Sequence, residues 1–212
     1  MFEIKFFKNL QYIIKYPRRY EENKKYPVVI FMHGSGSRGT DGYAMRKNDF
    51  FVITEQFEEF DFITVAPMCH ENTWFDLWET LRELVEEITL ENFCDSERVY
   101  AVGHSMGGYA VWQLGMSMPQ YFAAIVPICG GGMYWNAERL KNVPVWAFHG
   151  EKDELVLPDE SVKMVKAVNA AGGSARLTIY PDTAHMSWCD AYADRELFVW
   201  LLSQSKKRER GK

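Results

Sequence analysis

Residues 98–112 read RVYAVGHSMGGYAVW, and the reading of this stretch decides the fold. An apolar run, Val99–Val102, ends at Gly103. Ser105 follows, then Gly107 and Gly108, and then a run with helical character. Glycine weakens helix and strand interiors alike. Three glycines at one junction therefore mark a constraint on the backbone. A strand that turns sharply into a helix supplies one. The turn projects the Ser105 hydroxyl, and side chains at the flanking positions would strike the neighbouring strand and helix. The pattern is G-x-S-x-G between a strand and a helix, the context a nucleophile elbow requires. The helix start behind it offers unpaired N–H groups and the positive end of a dipole.

Outward from this junction the chain alternates. Short continuous apolar runs, the signature of strands buried on both faces, occur in YPVVIFMHG and at Phe62–Ala66, Val99–Val102, Ala123–Ile128, Val145–Phe148 and Leu177–Tyr180. Helical patterns lie between them. In DLWETLRELVEEITLE, Leu77, Leu81, Leu84, Val85 and Ile88 share one face. SMGGYAVWQLGMSM stops before Pro119, PDESVKMVKAVNAAGG has Pro158 at its start and Gly172 at its end, and ADRELFVWLLSQ forms a last helix. Two β-prone segments at the N-terminus, near Ile4–Phe7 and Tyr12–Tyr16, predict an antiparallel hairpin. The alternation predicts an α/β fold with a mostly parallel central sheet and helices on both faces. No repeat or linker divides residues 1–212, which read as a single domain whose basic end, residues 205–212, is expected to fray.

Composition narrows the function classes. The chain is 47% hydrophobic and 25% charged, values that support a sizeable core. Its net charge is -5, although the tail SKKRERGK carries five positive residues and one negative. The body is thus strongly acidic, which argues against nucleic acid or an anionic membrane as partner. The N-terminus lacks the pattern of a signal peptide, and no run is long enough to span a membrane. Cys69, Cys94, Cys129 and Cys189 are scattered and read as reduced thiols of a cytoplasmic protein, and a monomer or homodimer is expected. Cys69-His70 has no matching second ligand pair, so no metal is expected. Gly34–Gly39 fits G-x-G-x-x-G, but the loop continues as TDGY and the next strand ends at Ala66-Pro67 without an acid. Dinucleotide binding is therefore not expected, and no cofactor is called for.

In an open α/β sheet, ligands sit at the carboxyl ends of the strands. Here those ends are HGSGSRGTDG, PMCHENTW, GHSMGG, CGGG, HGEKDE and PDTAHMSW, and they concentrate histidine, serine, glycine and aspartate. A serine hydroxyl needs a base to take its proton. His104 adjoins Ser105 and should point away. His33 and His149 end strands before glycine and read as buried loop anchors, and His70 is a weaker alternative. His185, after the last strand, is the best base, and Asp153 in HGEKDE the best carboxylate to orient it. Asp159 reads as a helix-start charge. The order Ser, Asp, His is that of one hydrolase architecture. Oxyanion donors are expected from the N–H of Met106 and of Ser35, with Gly34 as neighbour alternative.

With these blocks in this order the sequence resembles the α/β-hydrolase superfamily. Within it, the chain is similar to the small lidless esterases related to dienelactone hydrolase and to the carboxylesterase and phospholipase group, sometimes labelled predicted peptidases. The likeness runs from YPVVIFMHGSGSRGT through VYAVGHSMGGYAVW and VPICGGG to VPVWAFHGEKDELV and PDTAHMSW. It implies Ser105 as nucleophile, Asp153 as acid and His185 as base. Ser37 stands where such relatives often carry Glu. Dienelactone hydrolases proper use cysteine where this chain has Ser105, which argues against a dienelactone substrate. The implied reaction is hydrolysis of small soluble esters, short-chain or aromatic. A peptidase, a thioesterase and an idle fold used for binding are the alternatives. The segment between Ile128 and Val145 is too short for a cap, so an open site is expected, with Trp74, Trp188 and Trp135 forming an aromatic rim.

Overall fold

The computed structural model describes residues 1–57 and 61–206. Eight strands form one mixed sheet: β1 (Phe2–Phe7), β2 (Leu10–Lys15), β3 (Tyr26–Met32), β4 (Ile63–Pro67), β5 (Cys94–His104), β6 (Ala124–Ile128), β7 (Val145–Gly150) and β8 (Ala175–Tyr180). Their spatial order is β1-β2-β4-β3-β5-β6-β7-β8. The N-terminal hairpin pairs antiparallel within itself and onto β4, and the other neighbours are parallel. Strand β3 shows why its sequence is a continuous apolar run. It lies between β4 and β5 and all seven of its residues are buried. Val28, Ile30 and Met32 enter the core on one face, and Val29 and Phe31 the core on the other. The edge strands β1 and β8 are only partly buried.

The helices divide between the two faces. α3 (Trp78–Leu90), α4 (Met106–Ser117) and α5 (Asp159–Ala170) pack on one. α2 (Asp49–Thr54), α6 (Trp188–Ala193) and α7 (Arg195–Ser203) pack on the other, and a one-turn α1 (Gly42–Met45) precedes α2. The face predicted for α3 is the buried one: Leu81, Leu84, Val85 and Ile88. α4 is buried nearly all round, which puts it at the centre of its layer and explains its lack of a polar face.

The fold differs from expectation in three places. α1 and α2 carry no long period, yet α2 brings Phe50 and Phe51 into the core, with Phe50 stacked 4.2 Å from Phe31. The expected last helix, residues 193–204, is α7, capped by Asp194, whose side chain accepts the Glu196 N–H, and the short α6 before it has no counterpart in the expectation. Of the tail expected to fray, Lys206 is tied down instead. Its N–H donates to the Glu97 carbonyl and its ammonium to that of Gln120. Residues 207–212 lie outside the described residues. The chain between β6 and β7 holds only a 3-10 helix, Tyr134–Leu140, and no separate cap domain. No helix among the described residues is long and apolar enough to cross a membrane.

Candidate active site

Backbone packing makes the turn at Ser105. Parallel pairing of β3 with β5 brings Met32 beside Gly103, and α4 starts directly above. A Cβ on Gly107 would overlap the Met32 carbonyl oxygen, and one on Gly103 would sit 2.6 Å from the same atom. Only glycine lets strand and helix backbones approach so closely. Between them Ser105 adopts φ 54° and ψ -122°, the left-handed half of the map, where a residue with a Cβ is strained by about 1–3 kcal/mol. The Ser105 N–H donates to the Ile128 carbonyl at 2.9 Å, which ties the turn to β6.

The structure brings Ser105, His185 and Asp153 together from three loops at the carboxyl end of the sheet. Ser105 Oγ lies 2.8 Å from His185 Nε2, and His185 Nδ1 lies 2.7 Å from Asp153 Oδ2. An ionised carboxylate only accepts, so Nδ1–H donates to Asp153 and Nε2 is free to accept the serine proton. Asp153 is 2% exposed, and its Oδ1 accepts the N–H groups of Leu155 and Val156 at 3.0 and 2.9 Å. Burial by itself raises its pKa. The hydrogen bond from His185 and the two N–H groups outweigh that, so the carboxyl titrates below its ordinary value. Asp182, three residues from His185, points to Lys152 instead. Asp159 lies in the first turn of α5.

His33, His104 and His149 are structural, each for a visible reason. His33 Nδ1 meets the Gly34 carbonyl at 2.7 Å, and its Nε2 accepts the Cys69 N–H at 3.0 Å. His104 Nε2 accepts the Gly34 N–H at 3.2 Å, and its Nδ1 lies 2.9 Å from Tyr192 Oη. Burial drives the pKa of His33 down to about 4 and that of His104 to about 3, so both stay neutral. His149 Nε2 lies 2.8 Å from the Val156 carbonyl and 3.3 Å from Asp153 Oδ2. Its pKa is also lowered, by burial first. His70 stands beside Glu71, 3.9 Å away.

The N–H groups of Met106 and Ser35 both lie outside any helix ladder. Met106 is the first residue of α4, and Ser35 opens the short 3-10 helix Ser35–Ser37. Gly34 sits over the serine, its would-be Cβ 3.4 Å from Ser105 Cβ. Since its N–H is bonded to His104, the first N–H of this loop open to a ligand is that of Ser35.

The tryptophans depart from the expected rim. Trp74 is fully buried, and its Nε1–H donates to the His33 carbonyl at 3.0 Å; it packs in the core beneath the loop and cannot line a rim. Trp188 stacks on His104 at 4.5 Å, meets His185 edge-on at 5.5 Å and bonds to Asp49, so it braces the histidine loop. Trp135 is 73% exposed and packs on Tyr134. Sequence reasoning missed a groove of about 540 Å³, lined in part by Phe75, Trp78, Tyr109 and Glu160. It also missed Cys129, whose sulfur lies within 4.8 Å of the Asp153 and His185 ligand atoms.

With this geometry in place, comparison with known proteins is informative. The family model described as the dienelactone hydrolase family matches residues 21–196. The chain belongs to the dienelactone hydrolase family. A lactone is a cyclic ester, so the family takes its name from an ester-bond hydrolase. A solved structure described as a thermostable esterase is 30% identical, with a TM-score of 0.78, over 96% of this chain and 63% of that one. Two curated relatives are dipeptidyl-peptidase 5 of Porphyromonas gingivalis and feruloyl esterase B of Piromyces equi. The first is 23% identical over 90% of this chain and 35% of its own length, and the second 27% identical over 72% and 31%. This family member therefore spans about a third of the length of the curated relatives it matches. Its sheet and its elbow are those of the α/β-hydrolase fold.

Proposed function

We propose that this chain is a serine esterase that cleaves small soluble esters through an acyl-enzyme on Ser105. One observation carries the reading: a strained, projecting serine hydrogen-bonded to a histidine that a buried carboxylate holds in the required tautomer. His185 takes the proton as Ser105 Oγ attacks the ester carbonyl. The N–H groups of Met106 and Ser35 receive the oxyanion. Imidazolium then protonates the leaving alkoxide, and His185 next draws a proton from water, which attacks the acyl-enzyme and frees the acid. No step calls on a cofactor. The feruloyl esterase relative favours aromatic acyl groups, and the absence of a separate cap favours substrates free in solution. Similarity to dipeptidyl-peptidase 5 supports a second reading, cleavage of peptide bonds by the same machinery.

The test combines labelling with turnover. An alkyl fluorophosphonate should label wild-type protein stoichiometrically and leave Ser105→Ala unlabelled. That variant should lose at least about four orders of magnitude in kcat on aryl acetates. Across aryl esters from acetate to palmitate, with methyl ferulate and dipeptide amides alongside, short and aromatic esters should lead, with no rate jump at the micelle threshold. Labelling elsewhere, or amides outrunning esters, overturns the proposal.

A further inference from the structure

The groove lined by Tyr109, one helical turn after Ser105, is built from four stretches of chain. Phe75 and Trp78 come from the segment after β4, Tyr109 from the first turns of α4, Gly131 and Met133 from the loop after β6, and Glu160 from the first turn of α5. Its lining is aromatic and apolar apart from Glu160 and one amide. Phe75 and Trp78 lie 6.0 Å apart at 33°. Among the described residues no ion pair or side-chain hydrogen bond engages Glu160. Its carboxylate lies directly against Gly131, where any side chain would run into it. A negative group without a partner, set among aromatic rings, is the chemistry that holds an organic cation: the ring faces attract the charge and the carboxylate neutralises it.

Two hydrogen-bond paths connect the lining of the groove to the reacting centre. The Tyr109 N–H donates to the Ser105 carbonyl at 3.2 Å, so Tyr109 follows the serine by one helical turn. Ser161, next to Glu160, donates to the Gly130 carbonyl at 3.1 Å and lies 2.7 Å from His149 Nδ1, behind Asp153. Burial raises the pKa of the Tyr109 phenol, and the charges of Glu160 and Asp153 raise it further.

We infer that this groove is a specificity subsite for a substituted-ammonium group on the substrate, with Glu160 as the residue that selects its charge. The inference rests on the serine esterase reading and deepens it. The ammonium can sit on the alcohol or on the acyl side of the ester, so the test has two arms. One compares 2-(trimethylammonio)ethyl acetate with its uncharged isostere, 3,3-dimethylbutyl acetate. The other compares the 4-nitrophenyl esters of 4-(trimethylammonio)butanoate and 5,5-dimethylhexanoate. Each kcat/KM is divided by the rate constant for hydroxide hydrolysis of the same ester, which removes intrinsic reactivity. In one arm the cation should be preferred about tenfold. The preference should shrink at high salt and fall toward unity in Glu160→Gln.

Binding separates a failure of the subsite from a failure of the catalytic reading. Benzyltrimethylammonium should quench tryptophan fluorescence of Ser105→Ala protein and bind more tightly than neutral neopentylbenzene, and the added Glu160→Gln change should abolish the difference. If Ser105 proves not to be the nucleophile but this binding pattern holds, the subsite stands and the reaction is reassigned. If esters turn over without a charge preference in either arm, or the preference survives Glu160→Gln, the subsite is wrong and the esterase reading stands. If no ester is hydrolysed and the cation does not bind more tightly than its isostere, both fail.

Discussion

At the scale of single residues, the site depends on which histidine can change charge. His33, His104 and His149 all have lowered pKa values, burial being the leading cause. They stay neutral where enzymes are usually assayed, and Asp153, shifted below its ordinary range, stays ionised. In the proposed mechanism His185 must be neutral to accept the Ser105 proton, so kcat/KM should rise with pH. The profile should follow a single ionisation. His185→Ala should remove that limb along with most of the rate, whereas His70→Ala should leave the profile in place. A flat wild-type profile, with chemistry shown to be rate-limiting, would remove His185 from the role.

The same three residues were legible in the sequence because the elbow has a local signature and its partners follow in order at strand ends. What escaped was information that one-dimensional spacing lacks. Trp74 sits in a loop at the active edge of the sheet, yet its ring turns into the core, where the His33 carbonyl takes its N–H. Position along the chain said nothing of that direction. The groove joins residues from 75 to 160, with no pattern to link them. α1 and α2 are too short to show a period and depend on the Asp41 and Asn48 caps instead.

At the scale of elements, the junction of β3, β5 and α4 is a contact of backbone on backbone. Gly107→Ala drives a methyl group into the Met32 carbonyl, and neither partner has a flexible side chain that could yield. The change should destabilise the protein by about 3 kcal/mol, as overpacked core sites do. Gly36→Ala is the matched control in the neighbouring loop, where a Cβ meets nothing within 4 Å. It should stay within about 0.5 kcal/mol of wild type. Urea unfolding of the three proteins decides the matter, and equal costs at the two positions would refute the packing argument. The sheet itself was read correctly from its apolar runs because its central strands are buried on both faces. Helix α6 escaped because its six residues are too few to show a helical period.

For the molecule as a whole, the buried neutral histidines link stability to acidity. A histidine whose folded pKa lies below its unfolded value binds more protons when unfolded. Its contribution is therefore complete above about pH 6.5 and is lost as pH falls toward the folded value. For His33 and His104 those folded values are about 4 and about 3. Between pH 7 and 5 each should remove about 2 kcal/mol of stability. In His104→Gln that combined loss should halve, whatever the variant's stability at pH 7. Urea titrations at the two pH values give the comparison, and an unchanged loss in the variant would exclude His104 as a source.

The position of Cys129 has a consequence for the redox behaviour of the site. Its sulfur shares the neighbourhood of Asp153 and His185, yet burial pushes its pKa up to about 12. At pH 8 only about one thiol in ten thousand is then a thiolate, the form that peroxide and alkylating agents attack. A sulfur beside the reacting centre is thus left chemically quiet. Oxidants and iodoacetamide should spare the enzyme, while a serine-directed reagent silences it.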